Sequence, residues 1–124
     1  MGKSILVVDD EADIVTQIKI RLEANGYSVT GAYSGEEALA KIKSGVPDLI
    51  LLDVMMPPPN GFQVCRILKD SPEYKDIPII MLTAKSTESD KFWGVESGAD
   101  EYVSKPYSAK ELLEKISVLL NPGR

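Results

Sequence analysis

Five side chains able to carry phosphoryl chemistry stand where apolar runs of this sequence end. They are listed in chain order: Asp9, Asp10, Asp53, Thr83 and Lys105. Clustered carboxylates repel one another unless a cation joins them. A site with few carboxylates and several retained waters suits Mg²⁺. The set favours phosphoryl transfer to a carboxylate, with Asp53 as nucleophile and with Thr83 and Lys105 binding phosphoryl oxygens.

Helix capping is the simpler explanation for an acidic residue that follows a strand. For Asp10 and Glu11 taken alone, capping is the favoured interpretation. It fits Asp53 poorly, because the segment MMPPPN separates this residue from the next helical pattern. Asp9 and Asp10 are neighbours and would point to opposite faces of a regular strand. Both can reach one ion only if the chain leaves strand geometry between them.

Apolar runs alternate with amphipathic stretches along the whole chain. The predicted strands are Ser4–Asp9, Tyr27–Tyr33, Asp48–Asp53, Ile77–Leu82 and Glu101–Ser104, the second and last of which suit sheet edges. The predicted helices are Glu11–Asn25, a stretch from Ser34 to just before Gly45, a stretch that starts near Asn60, Ser86–Ser97, and Ser108–Leu120. This alternation predicts an α/β fold with a parallel sheet covered by helices on both faces. Ligands of such folds gather at the carboxyl ends of the strands.

Composition excludes several classes of protein. The chain of 124 residues contains no histidine, so catalysis and zinc binding that depend on imidazole are excluded. A single cysteine, Cys65, cannot form an internal disulfide and is interpreted as a small buried side chain on a helix. The net charge of −5 argues against a nucleic-acid surface. No run approaches the ~18 apolar residues that cross a bilayer, so we expect a cytoplasmic protein without membrane insertion.

Four fragments in order resemble one family. ILVVDDE, DLILLDVMMP, PIIMLTA and GADEYVSKPY are similar to the motifs of the receiver domain of bacterial two-component response regulators, the family of the chemotaxis protein CheY. The resemblance covers essentially the whole chain and implies a single receiver domain over residues 1–124. The implied fold is flavodoxin-like: a doubly wound (βα)5 unit whose five parallel strands have the order 2-1-3-4-5.

The resemblance assigns roles to the residues that match the family's motifs. Asp53 is similar to the phosphoacceptor, and Asp10 to a direct Mg²⁺ ligand. Asp9 would contribute nearby or through water, and the backbone carbonyl of Met55 would complete the protein ligands.

Further roles concern the response to phosphorylation and the partner face. Thr83 resembles the hydroxyl that moves to the phosphoryl group, and Tyr102 stands at the aromatic switch position. Lys105 is similar to the family's invariant lysine, and Pro106 would follow a cis peptide bond. Trp93 is a candidate partner anchor on the fourth predicted helix, or equally a ring lying flat on its own surface.

The implied partners are other proteins. The phosphoryl group would come from a phosphohistidine on a sensor histidine kinase or histidine phosphotransfer protein, since this chain has no histidine of its own. A downstream protein target would bind the face formed by the fourth helix, the fifth strand and the fifth helix. No direct nucleic-acid partner is expected, and no turnover enzyme beyond self-phosphorylation and autodephosphorylation.

The residues support two competing functions less well. A phosphatase of the haloacid-dehalogenase type also uses a strand-end aspartate and magnesium, but it requires a second aspartate where Met55 stands. A receiver that never takes phosphate is disfavoured because all five site residues are present. One departure from the family's pattern is the loop MMPPPNGF, in which Pro58 and Pro59 fix two φ angles and remove two N–H donors.

Overall fold

One parallel sheet forms the centre of the protein. The computed structural model describes residues 3–83, 98–104 and 108–120. The strands are β1 (Ser4–Val8), β2 (Ser28–Ala32), β3 (Leu49–Asp53), β4 (Ile79–Thr83) and β5 (Glu101–Ser104). Every pairing is parallel, and the order is β2-β1-β3-β4-β5. The predicted strand order is therefore confirmed, as is the position of the two weaker strands at the edges.

Helices cover both faces of this sheet. They are α1 (Ala12–Glu23), α2 (Gly35–Ser44), α3 (Gly61–Lys69) and a C-terminal helix (Ala109–Leu120). The predicted helix Ser86–Ser97 lies outside the described residues. Where the structure describes the chain, no helix is both long and apolar enough to cross a bilayer.

The central strands are apolar except for one polar residue at an end of each, as expected for strands that are buried on both faces. Along β3, Ile50 and Leu52 join a core layer with α2 and α3, whereas Leu49 and Leu51 join a layer with α1 and the C-terminal helix. This alternation follows from the two-residue period of a strand. Cys65 is completely buried in the first layer, as predicted.

Short-range hydrogen bonds begin three of the helices at the predicted residues. The Ser34 side chain accepts from the Glu37 N–H, and the Ser108 side chain accepts from the Glu111 N–H. Asn60 forms a reciprocal capping box with Gln63. These caps set where each helix begins after its strand.

Strand boundaries differ from the prediction by one or two residues at several ends. β1 ends at Val8, because the chain bends away at Asp10 just after the Asp9 N–H donates the last bond to β2, at the Ala32 carbonyl. β4 begins at Ile79, two residues later than predicted, after Pro78, which has no N–H to donate. The site residues consequently stand at or just beyond the strand ends.

Candidate functional site

Three carboxylates meet at the carboxyl-terminal edge of the sheet. One oxygen each from Asp9, Asp10 and Asp53 lies within 4.8 Å of the others. Asp9 and Asp53 are buried, with 1% and 3% of their surface exposed, whereas Asp10 is exposed. β1 and β3 are neighbours although β2 lies between them in sequence, so the winding of the sheet reverses at this point. Doubly wound folds bind their ligands in the crevice at such a reversal.

The bend after β1 directs two adjacent aspartates to one place. Asp9 Oδ1 accepts a hydrogen bond of 2.9 Å from the N–H of Glu11, which holds the Asp9 carboxylate over the start of α1. Asp10 lies in the bend and is free of strand geometry. The condition set by the sequence, that the chain leave the strand between these residues, is met.

Helix capping does not explain Glu11. Glu11 occupies the N-cap position of α1, yet its side chain makes no capping hydrogen bond. The capping interpretation favoured for Glu11 from the sequence is therefore wrong. The backbone N–H of this N-cap residue donates instead to the Asp9 carboxylate, just before the first turn of α1.

The donor set of the cluster fits Mg²⁺. All three groups offer carboxylate oxygens, the hard ligands that this ion prefers. Burial of two neighbouring carboxylates carries an electrostatic cost that a divalent cation offsets. The exposed Asp10 leaves one side of the cluster open to water, and Mg²⁺ usually retains several waters.

The loop from β3 to α3 follows Asp53 directly. Val54 and Met56 are buried in the core, whereas the side chain of Met55 is 69% exposed. A Cβ at Gly61 would lie 2.4 Å from the Asp53 carbonyl oxygen, so only glycine permits this approach of α3 to the strand end. Met56 is thus a packing residue, while the role of the Met55 carbonyl stays a prediction.

Thr83 and Tyr102 share one face of the sheet. Thr83 ends β4 and pairs with Ser104 of β5, two residues beyond the pair of Met81 with Tyr102. Thr83 is 7% exposed, and Tyr102 packs against the core layer under α2 and α3. Burial raises the pKa of the Tyr102 hydroxyl above its ordinary value of 10.0, with smaller contributions from Cys65 and Glu101.

Other predicted residues lie outside the described part of the chain. Lys105 and Pro106 follow β5, and Trp93 belongs to the predicted fourth helix. Gly35 was not singled out from the sequence, although it contacts the loop after Asp53. The available signal was glycine in the first turn of a helix, where it costs stability relative to alanine.

Comparison with known proteins places this architecture in one family. Residues 5–117 match the family model for the response regulator receiver domain, which covers most of the chain. The chain belongs to this family: it is a CheY-like phosphoacceptor receiver domain of two-component response regulators. Members of this family partner with histidine kinases and generally bind Mg²⁺, and they are not classical enzymes.

Two curated relatives are similar over 120 residues, or 97% of this chain. The alkaline phosphatase synthesis transcriptional regulatory protein PhoP of Bacillus subtilis is 48% identical, and the match covers 49% of that protein. The phosphate regulon transcriptional regulatory protein PhoB of Pseudomonas aeruginosa is 47% identical, with 52% covered. This chain therefore spans about half the length of these relatives.

A solved structure shows the same fold. The chemotaxis protein CheY4 of Vibrio cholerae is 33% identical and superimposes with a TM-score of 0.91, covering 97% of this chain and all of that one. The expectation of no nucleic-acid partner finds no support among the curated relatives, because both are named as transcriptional regulatory proteins. That expectation was based on the negative net charge of these residues. The charge of this domain says nothing about any part of a longer protein that lies outside it.

Proposed function

We propose that Asp53 is the phosphoacceptor of this receiver domain. The observation that carries the proposal is the cluster of three carboxylates, in which a buried Asp53 ends the central strand β3. An oxygen of the Asp53 carboxylate attacks the phosphorus of a phosphohistidine on a sensor histidine kinase or histidine phosphotransfer protein. The new O–P bond forms as the P–N bond breaks, and the electron pair leaves with the imidazole, which takes up a proton.

Magnesium would be held by Asp10, Asp53 and the backbone carbonyl of Met55, with Asp9 nearby or acting through water. When bound, it supplies positive charge that offsets the negative charge of the carboxylates and the phosphoryl oxygens. Thr83 stands at the end of the neighbouring strand, where its hydroxyl can donate to a phosphoryl oxygen. Lys105 is proposed as a second donor on the family pattern.

Phosphorylation would act as a switch between two pre-existing states. Thr83 and Tyr102 share a sheet face, and the Tyr102 ring is partly buried against the core. Movement of Thr83 toward the phosphoryl group would let Tyr102 turn further inward. The reshaped face around β5, with Trp93 as a candidate anchor, would then bind a downstream protein target.

We infer that residues 1–124 form a single receiver domain that acts in the cytoplasm. Its chemistry would be limited to its own phosphorylation and dephosphorylation. Other activities of a longer protein that contains it would reside outside these residues, in keeping with the half-length match to PhoP and PhoB.

Acetyl phosphate labelling tests the acceptor directly. Wild type with Mg²⁺ should gain one phosphoryl group by intact-protein mass spectrometry, and Asp53→Asn should gain none, because an amide oxygen is not a nucleophile of comparable strength. Asp48→Asn is the matched control, since Asp48 directly precedes the same strand at its opposite end. Labelling that persists in Asp53→Asn, or is lost equally in Asp48→Asn, would contradict the proposal.

A further inference from the structure

Two glycines allow neighbouring helices to approach closely the loop that follows Asp53. This segment, the acceptor loop, comprises residues 54–60. At its end, Gly61 lies so close that a Cβ would meet the Asp53 carbonyl oxygen at 2.4 Å. On its outer side, a Cβ at Gly35 would meet the Pro59 carbonyl oxygen at 2.5 Å, the Pro59 ring at 2.8 Å and the side chain of Val64 in α3 at 2.8 Å. The acceptor loop therefore lies against the first turns of both α2 and α3.

Among the described residues, the hydrogen bonds of the acceptor loop are at its two ends. The Val54 N–H donates to the Leu82 carbonyl, and the Met56 and Gly61 N–H groups both donate to the Val54 carbonyl. At the far end, Asn60 takes part in the capping box of α3. The three consecutive prolines between these ends have no N–H to donate. Packing must therefore position the middle of the loop, and the contact of Pro59 with Gly35 supplies it.

We propose that Gly35 is a positioning residue for the Mg²⁺ site: by lacking a Cβ it lets Pro59 rest on α2, and this contact fixes the acceptor loop that carries the Met55 carbonyl. The atoms nearest to a Cβ at Gly35 belong to Pro59 and Val64 and to none of the proposed ligands, so Gly35 would act through Pro59. The inference rests on the proposed function, because it assumes that Mg²⁺ binds beside Asp53. It explains why a buried glycine stands in the first turn of α2, where alanine would favour the helix.

The test is Gly35→Ala, with Gly45→Ala as the matched control at the other end of α2. A Cβ at Gly45 meets no heavy atom within 4 Å, and its φ of −170° suits any residue. Mg²⁺ affinity is measured by isothermal titration calorimetry, and stability by urea unfolding in EDTA. We expect Gly35→Ala to raise the Mg²⁺ dissociation constant roughly tenfold, as outer-shell changes do at metal sites. Gly45→Ala should leave the constant within about twofold of wild type.

A second variant approaches the same contact from the loop. Pro59→Gly removes the ring that rests on Gly35, so it should also weaken Mg²⁺ binding. It also adds an N–H and frees the backbone, and Pro57→Gly, at an exposed proline of the same loop, is therefore its control. A loss of Mg²⁺ binding in Pro59→Gly that exceeds the loss in Pro57→Gly decides the question if Gly35→Ala fails to fold.

The outcomes separate the two levels of proposal. If wild type binds Mg²⁺ and the folded Gly35→Ala or Pro59→Gly variant binds it equally well, the positioning role is wrong, even if stability in EDTA has fallen. If wild type binds no Mg²⁺, the proposed function fails and takes the inference with it.

Discussion

The two edges of the sheet use aspartate in opposite ways. At the amino-terminal edge, Asp100 accepts from the Lys69 ammonium at 2.9 Å and from the Ile79 N–H at 2.8 Å. Asp48 at the same edge accepts from both the backbone N–H and the hydroxyl of Ser4. Each of these carboxylates meets donors from the start of a neighbouring strand, and so it fastens that edge of the sheet.

At the carboxyl-terminal edge, carboxylates meet one another. Asp9, Asp10 and Asp53 bring three oxygens within 4.8 Å, and two of the three residues are buried. Concentrated negative charge of this kind costs stability unless a cation offsets it, and such locally unfavourable arrangements are typical of functional sites. The contrast shows that the neighbours of an aspartate decide whether it serves structure or chemistry.

The largest effect on stability should come from Asp100→Ala. This change leaves the Ile79 N–H and the mostly buried Lys69 side chain without their shared acceptor, at a cost of about 2–3 kcal/mol in the free energy of unfolding. Urea unfolding measures the loss, and acetyl phosphate labelling should continue. The control is Asp70→Ala, whose exposed ion pair with Arg66 should be worth no more than about 1 kcal/mol. Equal losses in the two variants would mean that the amino-terminal edge is not fastened by Asp100.

A change of opposite sign is expected for Asp9→Asn. In EDTA, this variant should be more stable than wild type by roughly 1 kcal/mol, the repulsion between unit charges about 4 Å apart in water. The asparagine oxygen can still accept from the Glu11 N–H. Asp48→Asn, at the other edge, should lose stability in the same urea assay.

Added Mg²⁺ extends the comparison between wild type and Asp9→Asn. Saturating Mg²⁺ should stabilise wild type more than Asp9→Asn, because a ligand that binds only the folded state adds to its stability. A loss of stability in Asp9→Asn without metal would show that the cluster is not under electrostatic strain.

The smallest effect concerns Glu37, a carboxylate near the carboxyl-terminal edge that is matched by donors. The pKa of Glu37 is held below its ordinary value of 4.5, chiefly by the Tyr33 N–H and to a smaller extent by Lys41, against the opposing effect of burial. A lowered pKa in the folded state stabilises the fold above the unfolded pKa, and this contribution is lost as the pH falls through the lowered value. Glu37→Gln should therefore be slightly less stable than wild type at pH 7, and the difference should vanish once the pH lies below the lowered pKa of Glu37. A difference in urea unfolding that does not change as the pH falls would contradict the cause given for the shift.

Much of the fold could be predicted from local patterns. The apolar run of β3 implies a strand buried on both faces, and Ser34, Asn60 and Ser108 each begin a helix through bonds to residues three positions away. The gathering of Asp53 with Asp9 also follows, because parallel strands present their carboxyl ends at one edge.

Tertiary structure alone decided how the site is supported. Adjacent residues Asp9 and Asp10 look alike in the sequence, yet one is buried and the other exposed, because the chain bends between them. The contact of Gly35 with Pro59 joins residues 24 positions apart, and it depends on how closely the start of α2 approaches the acceptor loop. Periodicity and capping act over a few residues and can therefore be read from the sequence by itself. In this way the sequence alone determined the helices and strands and the residues that stand at their ends. Clearances of a few tenths of an ångström between distant segments arise only when the whole chain has packed.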